Sequence, residues 1–311
     1  MEDNKSKLHR RRFLKTLAGL TSALALTLKP QLALASPAIS KIIPSSGERL
    51  PAIGMGTWQT FNVDNEAQAQ TALLPVLQAF FDQGGTLIDS SPMYGSSEEV
   101  VGNLLPLVKN KQTLFAASKV WTLGQSRGEN QMEASRKLWE VKRFDLMQIH
   151  NMLDQEAHLE TLKKWKSEGR IRYLGITTSH GRRHEAMEKV MAKEPYDFVQ
   201  FTYNLIDREV EQRLLPLAAD RGIAVIINRP FQGGALFSRV RNKALPPWAA
   251  EFDCRNWAQF FLKFIVSHPA VTCAIPATTQ APHMLENMGA GSGRLPDAAT
   301  RRRMAQYFGT L

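Results

Sequence analysis

"FDLMQIHNMLDQEAHLETLKKWKSEGRIRYLGI", residues Phe144 to Ile176, carries the clearest indication of how this chain folds. Two short runs rich in apolar residues open and close it, and each is typical of a buried β-strand. Between them, Leu159, Leu162 and Trp165 recur at the spacing of one helix face, and Gly169 is a natural helix end. Two buried strands joined by a helix of this length predict a β-α-β unit with parallel strands.

The same alternation of apolar runs and helical stretches continues along most of the chain. Eight runs are candidate strands, a number that closes into a (β/α)8 barrel. An open doubly wound sheet is the competing topology, but "GMGTWQ" lacks the third glycine of a dinucleotide-binding loop and opens no helix. The candidate strands are "IGMGTW" from Ile53, "TLIDS" from Thr86, "TLFAAS" from Thr113, "FDLMQI" from Phe144, "IRYLGI" from Ile171, "DFVQF" from Asp197, "IAVIIN" from Ile223 and "VTCAIP" from Val271.

Two further elements complete the predicted fold. Residues Lys41 to Leu50 carry "PSSGE" between two short extended pieces, which predicts a β-hairpin that plugs the bottom of the barrel. "RRRMAQ", from Arg301, is typical of the exposed face of a closing helix. Pro75 falls inside the first helical pattern, where we expect a kink or a late helix start. We therefore predict an α/β protein, a (β/α)8 TIM barrel with an N-terminal β-hairpin and a C-terminal helix.

Composition limits the class of protein. The 311-residue chain is 43% hydrophobic and 22% charged, which is enough apolar sequence for a sizeable core. Its formal charge is +10, but residues 1–35 hold seven lysines and arginines against two acidic residues, a net of 7 − 2 = +5. The rest is typical of a solvated surface, so no nucleic-acid partner is predicted. Cys254 and Cys273 are predicted to stay unbridged, with Cys273 a small buried side chain.

The N-terminal stretch is typical of an export signal. It starts with basic residues, continues uncharged from Thr16 to Leu28, and ends in the small-residue pattern Ala33-Leu34-Ala35. The apolar stretch is shorter than the roughly 20 residues that span a bilayer. "RRRFLK", from Arg10 to Lys15, resembles a twin-arginine signal, which directs folded proteins to the twin-arginine translocation (Tat) machinery. A basic amphipathic helix or a plain membrane anchor is the alternative.

We therefore predict two parts of the chain. Residues 1–35 form a twin-arginine signal peptide that is cleaved after Ala35, and residues 36–311 form the barrel. No linker-like or low-complexity segment divides the second part. The mature protein is predicted to be periplasmic, with the Tat export machinery as a partner and without stable membrane insertion after cleavage.

Polar side chains collect where the predicted strands end. In a barrel of parallel strands, the C-terminal strand ends meet at one mouth, and active sites lie there. Tyr94 follows the second strand after a short turn. The polar residues at the strand ends are Asp89, Lys119, His150, Thr177, Gln200, Asn228 and Arg229. We predict that they converge on one site.

Four of these residues could together reduce a carbonyl group. A tyrosine has a pKa of about 10, so it is a poor acid or base at neutral pH unless its anion is favoured. The Lys119 ammonium would stabilise the Tyr94 phenolate and lower its pKa, and Asp89 would keep the lysine charged. A neutral His150 could hydrogen-bond a carbonyl oxygen. The four side chains could then protonate a carbonyl as it receives a hydride.

The tetrad of Asp89, Tyr94, Lys119 and His150, within "TLID", "SPMYG", "SKVW" and "LMQIH", resembles that of the aldo-keto reductases. The likeness begins with "GMGTW", continues through "GITT", "VQFTYN" and "NRPFQGG", and ends with "IPATTQAPHMLEN". It covers nearly the whole chain after the signal. The resemblance implies a (β/α)8 enzyme that reduces aldehydes or ketones to alcohols with a hydride from NAD(P)H, with Tyr94 as general acid.

The resemblance also implies which residues contact the ligands. Trp58, Met93, Trp121 and His150 would border an apolar mouth for a small carbonyl substrate, favouring aldehydes or cyclic ketones. Pro230 through Gly234 would cover the pyrophosphate of the cofactor. The nicotinamide amide would be held by Thr177, Thr178 and Gln200, and the adenosine half by Thr278, His283, Glu286 and Asn287. The full set of implied cofactor contacts is Gly56, Thr57, Asp89, Thr177, Thr178, Gln200, Asn228, Arg229, Pro230, Phe231, Gly233, Gly234, Thr278, His283, Glu286 and Asn287.

Several positions depart from the pattern of the family. Thr177 and Thr178 stand where serine and asparagine are common, and Asn228 stands where a tyrosine commonly stacks on the nicotinamide. Ala277 replaces the usual lysine, and His283 replaces an arginine that grips the 2′-phosphate. Two fixed positive charges are therefore missing. NADPH is still expected in preference to NADH.

Two other functions stay open. A nucleotide-binding sensing or regulatory barrel would keep the cofactor without useful turnover. Lys119 could instead form a Schiff base, as in barrel aldolases, because those enzymes also place a lysine at a strand end. No metal site is predicted: His180 and His184 have the spacing of helical metal ligands, but they lie in a basic loop without an evident third ligand.

Overall fold

The structure is a computed structural model, and it describes residues 38–63 and 67–311. The predicted signal peptide and its cleavage site after Ala35 lie outside these residues, so both stay predictions. In the part of the chain that is described, none of the helices combines the length and the apolar character needed to cross a membrane.

Eight parallel strands form the central sheet, and an antiparallel hairpin precedes it. The hairpin strands are β1 (Ser40–Ile42) and β2 (Arg49–Pro51). The parallel strands are β3 (Met55–Gly56), β4 (Leu87–Asp89), β5 (Phe115–Val120), β6 (Phe144–Ile149), β7 (Ile171–Thr177), β8 (Phe198–Thr202), β9 (Ala224–Asn228) and β10 (Cys273–Ala274). Each parallel strand pairs with its neighbour in the chain, so every connection crosses over outside the sheet.

The sheet closes between its first and last strands. Ile53 forms a parallel bridge with Ala274, and the Gly54 N–H donates to Ala274 O at 2.9 Å. Two residues further on, the Gly56 N–H donates to Pro276 O at 3.1 Å. The predicted (β/α)8 barrel is confirmed, and the open doubly wound sheet is excluded by this closure.

Helices lie between the strands and cover the sheet. They are α1 (Ala67–Thr71), α2 (Leu74–Asp82), α3 (Ser97–Leu104), α4 (Gln125–Leu138), α5 (Gln155–Ser167), α6 (His184–Lys193), α7 (Leu214–Asp220), α8 (Ala235–Arg239), α9 (Trp257–Val266), α10 (Ala281–Gly289) and α11 (Ala298–Gly309). Short 3₁₀ turns cover Leu105–Leu107, Lys111–Thr113, His150–Met152, Glu209–Glu211, Gln232–Gly234 and Pro247–Phe252. Pro75 lies in the first turn of α2, which confirms the late helix start.

Alternation along the strands separates an apolar interior from an outer layer. Phe115 and Ala117 of β5 belong to the apolar cluster inside the barrel, whereas Ala116 belongs to the larger cluster outside it. Cys273 is fully buried in the inner cluster, as expected of a small apolar side chain. Because side chains repeat every two residues, Lys119 follows Phe115 and Ala117 on the inner face.

The hairpin closes the N-terminal end of the barrel. Ile43 and Leu50 are buried in the inner cluster. At the start of β7, the Tyr173 hydroxyl lies 2.7 Å from the Glu48 carboxylate, which also pairs with Arg172. The predicted plug is therefore present at the N-terminal end of the barrel.

A buried lysine joins two segments near the C-terminus. Lys263 of α9 is 0% exposed, and its ammonium donates to the backbone carbonyls of Phe252, Ser292 and Arg294 at 2.9, 2.7 and 2.9 Å. Lys263 thereby ties the end of the glycine-rich segment "GAGSG", Gly289 to Gly293, to the turn that precedes α9, because a buried ammonium must find acceptors.

Candidate active site

Three of the four predicted catalytic side chains are buried at the open end of the barrel. Asp89 ends β4, Lys119 lies near the end of β5, and His150 follows β6. Their exposed fractions are 1%, 0% and 5%. Adjacent parallel strands end at the same level, so three residues that are distant in sequence become neighbours.

Lys119 and Asp89 form a buried ion pair inside the open, C-terminal end of the barrel. The Lys119 Nζ lies 2.5 Å from Asp89 Oδ2 and also donates to Ser90 O at 2.7 Å. Burial alone would lower the pKa of Lys119, but the charge of the Asp89 carboxylate and its hydrogen bond to the ammonium outweigh burial and raise the pKa. The lysine is therefore a fixed cation.

The second oxygen of Asp89 is held by two glutamine amides. Gln148 Nε2 donates to Asp89 Oδ1 at 2.8 Å, and Gln200 Nε2 lies 3.1 Å from the same oxygen. The family resemblance assigned Gln200 to the nicotinamide, and Gln148 was missed. Gln148 lies two residues before His150, so strand alternation could have placed it on the inner face. Both amides hold the carboxylate that orients Lys119.

Tyr94 lies between the lysine and the histidine. The Lys119 Nζ is 4.9 Å from the centre of the Tyr94 ring, and the Tyr94 and His150 rings meet edge to face at 5.6 Å. Burial raises the pKa of Tyr94, while the Lys119 charge opposes this shift and Asp89 adds to it. The expected lowering of this pKa is therefore wrong, because desolvation outweighs the lysine. The phenol is protonated at neutral pH, as a proton donor must be.

His150 is held in its neutral form. Burial, and then the Lys119 charge, lower the pKa of His150 to about 2. Its Nδ1 lies 2.8 Å from the Ser91 hydroxyl, and the Trp121 ring packs 6.4 Å away. A neutral imidazole carries one N–H donor and one lone pair. His150 can therefore hydrogen-bond a carbonyl oxygen, as the sequence predicts.

A cavity of about 470 Å³ opens above these residues. Trp58, Met93 and Tyr94 border it together with most of the predicted cofactor contacts. The predicted residues that line it are Gly56, Thr57, Trp58, Asp89, Met93, Tyr94, His150, Thr177, Gln200, Asn228, Arg229, Pro230, Phe231, Gly233 and Gly234.

Several predicted residues lie outside the lining of this cavity. Lys119 lies beneath its floor, and Trp121, predicted as a wall of the substrate mouth, does not line it but lies with its ring centre 6.4 Å from that of His150. The Thr178 hydroxyl donates to Arg182 O at 2.6 Å and so fixes a loop. The residues predicted for the adenosine half also lie outside the lining: Thr278, His283, Glu286 and Asn287. Of these, His283 and Glu286 are exposed on α10 and Asn287 is buried.

Asn228 and Thr177 bind the protein itself. Asn228 Nδ2 donates to Thr178 O at 2.8 Å, and Asn228 Oδ1 accepts the Thr202 hydroxyl at 2.7 Å. The Thr177 hydroxyl oxygen accepts the Asn151 N–H at 3.0 Å. Asn228 therefore joins the ends of β7, β8 and β9, whereas Thr177 joins the end of β7 to the turn after β6.

Two basic residues of the loop after β7 were missed as site residues. His180 and Arg182 border the cavity, and the His180 ring meets Trp58 edge to face at 6.5 Å. Burial, then Arg229 and Arg182, lower the pKa of His180. Neither Arg182 nor Arg229 forms an ion pair within residues 38–63 and 67–311, where no cluster of three metal-ligating side chains occurs either. The basic motif "HGRRHE", from His180, was the feature of the sequence that could have indicated positive charge at this side of the cavity.

The fold and the site have counterparts among known proteins. Residues 52–303 match the Aldo/keto reductase family. Methylglyoxal reductase YeaE of Escherichia coli is 29% identical over 255 residues, which are 79% of this chain and 88% of that protein. Aldo-keto reductase YhdN of Bacillus subtilis is 29% identical over 213 residues, 64% of this chain and 63% of that protein. An aldo-keto reductase from Klebsiella pneumoniae, solved with NADPH, superposes with a TM-score of 0.70 at 23% identity, covering 88% of this chain and 96% of that one.

The match spans most of the chain, and so the chain belongs to the Aldo/keto reductase family. It is an NAD(P)H-dependent oxidoreductase that acts on small carbonyl compounds. The predicted family, fold and class of reaction are confirmed.

The residues at the cavity fit a dinucleotide. Gly233 and Gly234 have positive φ angles of 66° and 95°, so glycine lets the backbone turn sharply along one wall. Arg229 supplies positive charge beside that turn, and Arg182 supplies a second positive charge elsewhere on the cavity lining; a pyrophosphate requires such charges. Phe231 and Phe237 add apolar ring surface. These side chains provide both the charged and the flat contacts that a nicotinamide dinucleotide needs.

Proposed function

We propose that the mature protein is a periplasmic reductase that converts aldehydes or ketones to alcohols and uses NADPH in preference to NADH. The observation that carries this proposal is the Lys119–Asp89 ion pair beneath a protonated Tyr94, beside a neutral His150, at the mouth of one cavity. A protonated phenol beside a fixed cation is a general acid whose anion is stabilised as it forms.

The protein residues act on the carbonyl oxygen. The reduced nicotinamide, when bound, supplies the hydride to the carbonyl carbon. His150 orients the carbonyl by a hydrogen bond to its oxygen, and Tyr94 donates a proton to that oxygen as negative charge develops there. Lys119 stabilises the resulting phenolate, and Asp89 holds Lys119 in place. The Tyr94 proton is then restored from water.

The proposed cofactor contacts follow from charge and shape. Arg229 and Arg182 would pair with the pyrophosphate, and the turn at Gly233 and Gly234 would let the backbone approach it. NADPH is favoured because structures of similar fold have been solved with NADP or NADPH. Ala277 and His283 replace two side chains that would bring positive charge to the 2′-phosphate. We therefore expect the preference for NADPH over NADH to be small.

The substrate class follows from the walls of the cavity. Trp58, Met93 and Phe237 border it with aromatic and apolar surface. Such walls favour aldehydes or cyclic ketones with an apolar body. The similarity to a methylglyoxal reductase supports a small aldehyde as the first compound to test.

A Schiff-base role for Lys119 has less support. The nucleophile of an aldolase is a neutral amine, whereas Asp89 pairs with Lys119 and keeps it charged. A regulatory barrel that binds nucleotide without turnover would share every contact described above. Only a turnover measurement separates that function from a reductase.

The test uses the exported, processed protein. Purified protein is expected to bind NADPH in a fluorescence titration and to oxidise it, with loss of absorbance, when a panel of aldehydes and cyclic ketones is added. NADPH binding without turnover on any carbonyl would favour the regulatory barrel. No binding of either nucleotide would reject the proposal.

Export is tested separately, because the proposed signal lies outside the described residues. Replacing Arg10, Arg11 and Arg12 with lysine keeps the charge but removes the arginine pair that defines the signal. We expect the full-length variant to stay in the cytoplasm, while the natural sequence is processed and recovered from the periplasm. Equal periplasmic recovery of both proteins would argue against Tat export.

A further inference from the structure

The contact between Ser91 and His150 is fully enclosed. Ser91 Oγ lies 2.8 Å from His150 Nδ1, and the two residues are 0% and 5% exposed. The same oxygen accepts the backbone N–H of Met93 at 3.2 Å. Within residues 38–63 and 67–311, no other hydrogen bond reaches the Ser91 side chain. The only acceptor available to the Ser91 hydroxyl proton there is therefore His150 Nδ1.

The count of protons selects one arrangement of this pair. Ser91 has one hydroxyl proton and neutral His150 has one ring proton. If Nδ1 carried the ring proton, the Ser91 proton would be buried without an acceptor, which is unfavourable. If the hydroxyl donates to Nδ1, every donor at this contact is paired. The ring proton then resides on Nε2.

Two aromatic rings flank the His150 ring. Tyr94 meets it edge to face at 5.6 Å between ring centres, and Trp121 packs at 6.4 Å. His150 borders the cavity. Some buried polar side-chain atoms of the described residues have no hydrogen-bond partner, but His150 Nε2 is not one of these atoms. With Nδ1 turned to Ser91, Nε2 is the nitrogen that a substrate can reach.

We propose that Ser91 is a positioning residue that keeps the ring proton on His150 Nε2, so that this nitrogen donates to the carbonyl oxygen of the substrate. The inference rests on the proposed function, in which His150 orients the carbonyl. The opposite tautomer would present a lone pair to the carbonyl oxygen and repel it. Ser91 thus determines whether His150 can orient the substrate at all.

The first test measures the tautomer directly. A long-range ¹H–¹⁵N spectrum of the whole protein, labelled at histidine and free of substrate, reports which ring nitrogen carries the proton. A His150→Gln variant identifies the signals of His150. We expect a protonated Nε2 and an unprotonated Nδ1. A proton on Nδ1 overturns the proposal. This measurement needs no turnover, so its outcome is independent of whether the protein is a reductase.

The second test separates positioning from folding. Ser91→Ala is expected to lower kcat in proportion to the fraction of molecules that the spectrum then shows in the Nδ1–H tautomer, with the Kd for NADPH unchanged. Ser91→Thr keeps the hydroxyl and should restore both kcat and the Nε2–H signal. Thr161→Val, which removes a buried hydroxyl bonded only within α5, is the control.

Three results would contradict the inference. Ser91→Ala could keep the natural kcat, or it could keep the Nε2–H tautomer while losing kcat. Ser91→Thr could also fold and show the Nε2–H signal without recovering kcat. If either Ser91 variant fails to fold, the spectrum of the natural protein still decides.

Discussion

The Lys119 ammonium lies 4.9 Å from the centre of the Tyr94 ring, below the floor of the cavity. This contact stabilises the phenolate only after the proton has left, because burial keeps the resting pKa of Tyr94 raised. Tyr94 is therefore protonated before the reaction begins, and Lys119 stabilises its phenolate as the proton is transferred.

Tyr94→Phe is expected to abolish turnover and leave cofactor binding nearly intact. The change removes the donated proton and keeps the ring that packs against His150. A loss of on the order of 10² to 10⁴ in kcat is typical of a missing general acid. Steady-state kinetics and a fluorescence titration with NADPH measure the two effects. An equal loss of both would show that Tyr94 is structural.

Lys119→Met is expected to lower the free energy of unfolding as well as kcat. It leaves the Asp89 carboxylate buried without its cation, and breaking a buried pair in this way costs about 3–5 kcal/mol. Adding Asp89→Asn should recover part of the stability but none of the activity. Urea unfolding of the single and double variants measures this coupling. A double variant no more stable than Lys119→Met would contradict the account.

The stability of the protein is expected to fall as the pH drops below 6.5. The folded state holds His150 with a pKa of about 2, whereas an unfolded histidine takes up a proton near pH 6.5. The unfolded state then binds more protons, and this one group costs about 1.4 kcal/mol per pH unit until the folded pKa is reached. Urea unfolding at pH 6.5 and 5.0 should show a smaller loss for His150→Gln. Equal losses would contradict the assigned burial.

Cofactor preference should shift when the missing charges are supplied. Ala277 borders the cavity and His283 is exposed on α10. Ala277→Lys together with His283→Arg is expected to tighten NADPH binding by on the order of tenfold, about 1.4 kcal/mol, and to leave NADH unchanged. Ala277→Met controls for side-chain length. Tighter binding of both nucleotides would mean that the 2′-phosphate is not the group contacted.

Lys263→Met tests the buried ammonium near the C-terminus. The change leaves three backbone carbonyls without their shared donor, and we expect the free energy of unfolding to fall by about 2–4 kcal/mol. Lys137→Met removes an exposed lysine on α4 and should change it by less than about 0.5 kcal/mol. Thermal and urea unfolding compare the two. A similar change in the free energy of unfolding for both variants would show that the Lys263 ammonium does not stabilise these segments.

Periodicity in the sequence was enough to predict the barrel, because apolar alternation and helix spacing are local properties. The same alternation placed Asp89, Lys119 and His150 at one mouth. Gln148 and Ser91 follow the same rule, two residues from His150 and Asp89, but their role depends on a partner across the sheet. Local spacing does not specify such a partner.

Burial was harder to predict than position. The sequence placed a lysine near Tyr94 correctly, yet the direction of the Tyr94 pKa depended on how much water the folded barrel excludes. Likewise, the family pattern assigned Thr178 to the nicotinamide, while the fold turns its hydroxyl toward Arg182 O. The direction of the Tyr94 pKa shift and the orientation of the Thr178 hydroxyl both depend on packing between segments that are distant in sequence.

The contact of Ile53 with Ala274 has a consequence for biosynthesis. The seam of the barrel joins segments from opposite ends of the domain, so the ring cannot be completed until nearly the whole chain has left the ribosome. Long-range closure of this kind is slow, and an unclosed sheet exposes strand edges that aggregate. If the chain is exported folded, its N-terminal signal therefore emerges well before the barrel that it must carry is complete.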